Sequence, residues 1–410
     1  MEGNSNNNNL IVDVPSHFLC PISLQLMRDP VIVSTGITYD RESIEKWLFS
    51  CKKTTCPVTK QPLFDSDLTP NHTLRRLIQA WCTLNASNGI ERIPTPKSPI
   101  DKAQIVKLLN EANNYPSRHV QCLLRLRSIA SQSERNKNIL EEAGAIEFLV
   151  SLIKKKKNDN SSISETAIEV LFHLKNSEAR FRQVMKEDSE IIDSLVRVLR
   201  CGNYKSRAHA AVLLKSLLEV ADPIQLVSLE TELFREVVNV VRDQISQAAS
   251  KAALKLLVEI SPWGRNRIKA VEAGAVLILI ELLLETFEKR ACELVLTALD
   301  QLCGCAEGRA ELLMHSAGLA VVSKKILRVS HVASEKAVRI LSSISRFSAT
   351  SRVLQEMLQV GVVGKLCLVI QVDSSLKTKD KAKEILKLHS RVWKNSTCIP
   401  PHLLSSYPSS

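Results

Sequence analysis

The chain has 410 residues, of which 45% are apolar and 24% charged, with 12 glycines and 4% aromatics; this balance suits helices of Leu, Ala, Ile and Val and argues against a sandwich or barrel. Eleven scattered cysteines without a leader-like start argue against a disulfide scaffold, and the longest apolar run, residues 275–284, is broken by Glu281 and too short for a membrane helix; free thiols in the cytoplasm, or also the nucleus, are expected. The net charge is +12, and residues 1–100 hold 10 Lys+Arg against 9 Asp+Glu, so a surplus of +11 lies in the remainder, where it suits an acidic protein, nucleic acid or anionic lipid, or serves solubility.

Residues 1–12 read as a polar, flexible tail. Val31-Ile32-Val33, a turn at Ser34-Thr35-Gly36 and Ile37-Thr38-Tyr39 predict a two-strand hairpin. Asp40 stands at an N-cap position, and Ile44, Trp47 and Leu48 predict a short helix over about 41–50. Asn71 is the expected cap of a second helix with an apolar stripe of Leu74, Leu77, Ile78, Trp81 and Cys82. Cys20, Cys51, Cys56, Cys82, His17 and His72 are too few, and lack the close pairs, for a two-zinc cross-brace of eight ligands. No metal and no cofactor is expected.

The motifs His17-Phe-Leu-Cys-Pro-Ile-Ser-Leu24, Met27-Arg-Asp-Pro-Val-Ile-Val33, Thr38-Tyr-Asp-Arg41, Ile44-Glu-Lys-Trp47, Cys56-Pro-Val-Thr59 and Leu68-Thr-Pro-Asn71 follow one another over residues 13–87. Together they resemble a U-box, a RING-like fold in which hydrogen bonds and packing replace zinc. The resemblance implies that Ile22 and Pro57, in two loops, contact a ubiquitin-charged conjugating enzyme, with Trp47 between them as groove wall or core. Cys20, Pro21, Asp29, Pro30 and Tyr39 are then structural positions, and Cys20 is a buried former ligand position rather than a nucleophile. Lys60 stands where many relatives carry an arginine that biases the bound ubiquitin, and lysine lacks the planar fork of five donors.

Residues 88–100, with Pro94, Pro96 and Pro99, read as a linker. Beyond it, similar segments start at Gly144, Glu190, Glu232, Gly274, Gly318 and Gly361, and a second ladder of apolar anchors runs Leu174, Leu217, Ile260, Leu302, Ile344. Both repeat every 42 to 46 residues, the period of armadillo or HEAT units. An array of five to six repeats over 101–390 is expected, followed by a flexible tail, 391–410. Glu169 and His173, Ser216, Lys255 and Glu259, Gln301 and Arg339 share helix faces that either line a substrate groove or are merely solvated. The expected whole is mainly α: a small α+β zinc-free module followed by an α-solenoid, similar to plant U-box armadillo ubiquitin ligases of the immune and stress-signalling branch. That resemblance implies conjugating enzyme and protein substrates as partners, with self-association also open. A non-enzymatic armadillo scaffold is the alternative, and nucleic acid lacks a supporting motif.

Overall fold

The computed structural model describes residues 13–51, 53–63, 68–93, 100–154, 161–174, 178–187, 190–393 and 407. The expected N-terminal tail, the linker prolines and Lys155 to Lys157 lie outside these. The chain divides into two compact units, Met1–Phe148 and Leu149–Ser410.

In the first unit, β1 (Pro30–Ile32) pairs antiparallel with β2 (Thr38–Asp40), with Val31 opposite Tyr39, and also with β3 (Thr69–Pro70), giving the order β2-β1-β3. The expected hairpin is present, and Gly36, at φ +80°, takes the left-handed backbone its turn requires. The third strand had no visible signal, because two residues ending in proline cannot alternate. Helix α1 (Arg41–Glu45) continues as a π-helical turn over Lys46–Ser50. Asp40 precedes α1 but does not cap it; its carboxylate instead accepts from the amides of Arg28 at 2.7 Å and Asp29 at 2.9 Å, fixing the entry to β1.

Helix α2 (His72–Leu84) is capped as expected, Asn71 Oδ1 accepting from Leu74 N at 3.0 Å. One member of its predicted stripe is misplaced. Leu77 is 53% exposed, while Ile78 and Cys82 are buried, because Leu77 lies at one margin of a stripe centred on Ile78. The core of the module gathers Phe18, Met27, Val31, Tyr39, Ile44 and Ile78 around Cys20 and Cys56. Helices α3 (Lys102–Asn114), α4 (His119–Ala130) and α5 (Glu134–Glu142) complete the unit, and α6 (Ala145–Lys154) follows.

The second unit repeats three helices. They are α7 (Ser161–His173); α8 (Glu178–Glu187), α9 (Glu190–Cys201) and α10 (Tyr204–Leu218); α11 (Pro223–Val227), α12 (Thr231–Asp243) and α13 (Gln247–Ile260); α14 (Asn266–Glu272), α15 (Ala275–Glu285) and α16 (Lys289–Leu302); α17 (Ala306–Met314), α18 (Gly318–Lys325) and α19 (His331–Phe347); then α20 (Ser351–Gln359), α21 (Val362–Gln371), α22 (Leu376–Leu388) and the short α23 (Ser390–Trp393). The third helices α7, α10, α13, α16, α19 and α22 each pack on the next as one layer. The two sequence ladders map onto this plan: Gly274 and Gly361 make the left-handed corners before second helices, and the anchors Leu174, Leu217, Ile260, Leu302 and Ile344 are all buried.

Polar side chains tie successive repeats. Gln225 Nε2 donates to Met185 O at 2.6 Å, Asn266 Nδ2 to Leu226 O at 2.6 Å and Lys325 Nζ to Thr286 O at 2.8 Å, each reaching about one repeat back to a carbonyl left over at a helix end. Trp393, expected in a flexible tail, is instead fully buried with Nε1 donating to Leu354 O, and Tyr407 donates to Leu386 O. Both aromatics therefore pack back on the helices that precede them.

Candidate functional site

Two loops of the first unit share one design. Residues 20–25 read Cys-Pro-Ile-Ser-Leu-Gln and residues 56–61 read Cys-Pro-Val-Thr-Lys-Gln. In each, the cysteine amide donates to the glutamine carbonyl at 2.8 Å, and the fifth residue's amide donates back to the cysteine carbonyl, from Leu24 at 2.8 Å and from Lys60 at 2.9 Å. Leu24 and Lys60 both sit in the left-handed region, at φ +55° and +60°, a strained choice for side-chain-bearing residues that a closed loop imposes. Bridges between Leu19 and Leu26 and between Thr55 and Pro62 close the bases identically.

Each sulfur is an acceptor at the centre of its loop's support. Asp40 N donates to Cys20 Sγ at 3.3 Å. Burial would push the Cys20 thiol up, but the amides of Ser23, Asp40 and Ile22 outweigh it and lower the pKa. Cys56 Sγ receives Thr35 Oγ1 at 3.3 Å and lies 3.0 Å from Tyr39 Oη. There too burial is outweighed, by the hydroxyls of Thr35, Thr59 and Tyr39, which bring the thiol down to about 6. Val58 N donates to Tyr39 Oη at 3.2 Å, so the tyrosine proton is free to point at Cys56. Burial first, and then the bond to Cys56, hold the Tyr39 hydroxyl far above the usual phenol range. Positions that would be metal ligands in a cross-brace are thus satisfied by hydroxyl and amide donors.

Trp47, between the loops in sequence, is half-buried: its ring packs against the buried cluster, and Nε1 donates to Thr55 O at 2.8 Å, pinning the second loop. Ile22 is half-buried against the same cluster, so it is less outward than its loop position suggested, and Pro57 is half-buried as well. Within the two loops the most exposed apolar side chains are Leu24, at 75%, and Val58, at 51%. Neither was singled out from the sequence, although aligning the two Cys-Pro-x-x-x-Gln loops would have placed Val58 opposite Ile22 and Leu24 opposite Lys60. Lys60 is exposed, with Nζ donating to Pro57 O at 2.8 Å. Behind the loops, Asp29 takes Arg41 Nε at 2.6 Å, Pro30 is buried at the start of β1, and Pro21 is exposed.

The groove candidates all fall on the layer of third helices, Glu169 and His173 on α7, Ser216 on α10, Lys255 and Glu259 on α13, Gln301 on α16 and Arg339 on α19. Two are tied to neighbouring repeats: Glu169 accepts from Lys205 at 2.6 Å, and Arg339 Nε lies 2.9 Å from the buried carboxylate of Asp300. Glu259 has its pKa raised by burial and by Glu219, against Lys215 and Lys255.

A module with paired loops braced by hydrogen-bonded cysteines, in a chain carrying an armadillo array, defines the class of U-box ubiquitin ligases. Residues 14–87 match the U-box domain family and residues 104–409 the plant U-box protein ARM repeat region; the chain belongs to the plant U-box armadillo family. It is 56% identical to E3 ubiquitin-protein ligase PUB23 of Arabidopsis thaliana over 97% of this chain and 98% of that one, and 53% identical to PUB22 of the same plant over 97% and 99%. Among solved structures it resembles a chain from a study of the cadherin and β-catenin interaction (TM-score 0.58, 15% identity, 79% of this chain and 58% of that one) and an engineered protein (0.54, 16%, 75% and 71%). Those two likenesses concern fold alone. The chain is a U-box E3 ubiquitin transferase.

Proposed function

We propose that the two loops receive a ubiquitin-charged conjugating enzyme and that ubiquitin passes directly from its thioester to a lysine of a protein held by the armadillo array. The carrying observation is the matched pair of loops, which set Leu24 and Val58 outward beside the half-buried Ile22, Pro57 and Trp47, apolar groups suited to a small transient interface. Cys20 and Cys56 are buried and hydrogen-bonded, which disfavours either as a covalent carrier. The ligase then contributes proximity and orientation, with Lys60 poised at the rim of the second loop as the residue that touches ubiquitin. Single-turnover discharge of a charged conjugating enzyme to free lysine tests this: faster discharge with the chain, and no ubiquitin trapped on it as a thioester, is the expected result, and a reducible adduct on any cysteine refutes it.

Plant defence and stress signalling is the proposed setting, supported by the likeness to that branch, and loss of the gene should alter the response to a microbial elicitor. Exposed free cysteines, Cys51 and Cys201, support residence in the reducing cytoplasm, which a fluorescent fusion would check. If discharge is absent with a broad enzyme panel, the chain is a scaffold.

A further inference from the structure

The positive charge of the second unit is concentrated on one layer. Helices α10, α13, α16, α19 and α22 carry 15 lysines and arginines against 6 acidic residues, whereas the rest of residues 149–410 carries 23 against 22. First and second helices are therefore close to neutral, and the surplus belongs to five of the third helices, which lie side by side, while the remaining one, α7, carries Glu165 and Glu169 and no Lys or Arg.

Part of this charge is spent within the array. Arg207 pairs with Asp243, Lys336 and Arg339 with Asp300, and Arg346 with Glu384, each bridging neighbouring repeats. Lys205 pairs with Glu169, Lys215 with Glu219 and Lys383 with Asp380 as well, whereas Lys251, Lys289, Arg290, Lys377 and Lys387 are exposed and have no carboxylate within 4 Å among the described residues. At the start of α13 and α16, a pocket of about 310 Å³ is lined by the cations Lys251 and Arg290, by one carboxylate, Glu288, and by Leu254, Leu282 and Leu294. Cations spaced one helix apart beside an apolar floor fit an extended chain bearing carboxylates and an occasional large apolar side chain. Nucleic acid fits less well, since acidic residues are interspersed and Tyr204 is the only Phe, Tyr or Trp exposed on these five helices apart from Phe347 at the end of α19.

We propose that the layer of third helices binds an acidic, extended segment of a protein partner, with Lys251, Lys289 and Arg290 as its central contacts. This rests on the reading of the array as the holder of substrate and names the class it selects. A segment of about 15 residues spans about 50 Å when extended, the width of five helices packed about 10 Å apart.

The test uses the full chain and a fluorescent peptide of about 15 residues rich in Glu and Asp with one central Leu, beside a Ser/Gly and a Lys-rich version. The acidic peptide should bind about tenfold or more tightly than either control at about 0.05 M salt and lose most of that advantage at about 0.5 M. Lys251→Glu with Lys289→Glu and Arg290→Glu should abolish the preference, while Arg242→Glu with Lys324→Glu, outside these five helices, should keep it. If the first variant melts early, Lys377→Glu with Lys387→Glu on α22 serves, and should weaken binding severalfold. Equal binding of all three peptides overturns the proposal whatever the ligase does, as does single-stranded DNA or a phosphatidylserine vesicle that binds and is not displaced by excess acidic peptide. With the peptides fused to a lysine-bearing fluorescent protein, faster ubiquitination of the acidic fusion supports both readings; binding without faster modification leaves the acidic surface standing and sinks the array as substrate holder.

Discussion

Tyr39 and Cys56, 17 residues apart and both fully buried, face each other across 3.0 Å, and Tyr39 also receives the amide of Val58 from the second loop. One tyrosine thereby couples β2 to a loop proposed to grip the conjugating enzyme. Tyr39→Phe keeps the ring but leaves a buried sulfur and amide short of a partner, so it should cost about 1 to 3 kcal/mol and slow ubiquitin discharge. Chemical denaturation of the two forms measures the first effect, and a variant as stable as the parent would show the hydroxyl to be idle.

The depressed Cys56 thiol implies a pH dependence. Its folded value, about 6, lies below that of an unfolded cysteine, so its stabilising contribution is complete above the unfolded value and is lost as pH falls through about 6. Amide exchange of the U-box should therefore slow, relative to its intrinsic rate, as pH rises from 6 to about 8.5. In Cys56→Ser, which does not ionise in that range, the trend should flatten; an unchanged slope would assign the trend to another group.

Leu24→Ala separates binding from folding. As a surface truncation it should change stability by less than about 0.5 kcal/mol, yet remove about 1 to 3 kcal/mol of conjugating-enzyme binding, a fall of about 5- to 150-fold in discharge rate. Ile78→Ala should do the reverse, losing about 2 to 5 kcal/mol of stability through a core cavity. Leu77→Ala, on the same helix but exposed, should do neither. Melting temperature and discharge rate on the three variants decide.

Stability of the U-box should depend on residues beyond it. Glu45 is buried, its pKa is raised by that burial against Arg41, Arg135 and Ser133, and α5 packs on the turn that follows α1. A fragment of residues 1–148 is expected to outlast one of residues 1–88 in thermal melts. Equal melting temperatures would make that contact incidental.

Strong chelators should leave folding and discharge intact, because hydroxyls and amides occupy the sulfurs of Cys20 and Cys56. Elemental analysis of the purified protein for zinc at one equivalent or more would contradict this.

Much of this was legible in the sequence because it is periodic. The anchors from Leu174 to Ile344 recur at one interval, and every one is buried, since a solenoid reuses one packing solution. The U-box motifs marked their own loops. What escaped was set by three-dimensional neighbours: the strand at Thr69–Pro70 exists only because β1 offers it a partner, and Asp40 abandons its helix to hold two amides of another segment. Leu77 and Ile78 are adjacent and equally apolar, and only the direction of the core tells them apart. The exposure of Leu24 follows from a left-handed backbone that no local pattern of side chains announces.

Side-chain ties to main-chain carbonyls of a neighbouring repeat run mostly one way, Ser323 Oγ to Val360 O being a forward one. Gln225, Asn266, Lys325 and Trp393 all donate backwards, to carbonyls of Met185, Leu226, Thr286 and Leu354. During synthesis, each new stretch of chain leaving the ribosome therefore meets acceptors already in place, while the acceptors of the finished part wait in contact with water at no great cost. Shortening the array from its C-terminal end uncovers carbonyls that water can satisfy. Shortening it from the other end strands a buried N–H of Asn266, so for these ties the two kinds of truncation are unequal, and synthesis follows the gentler one.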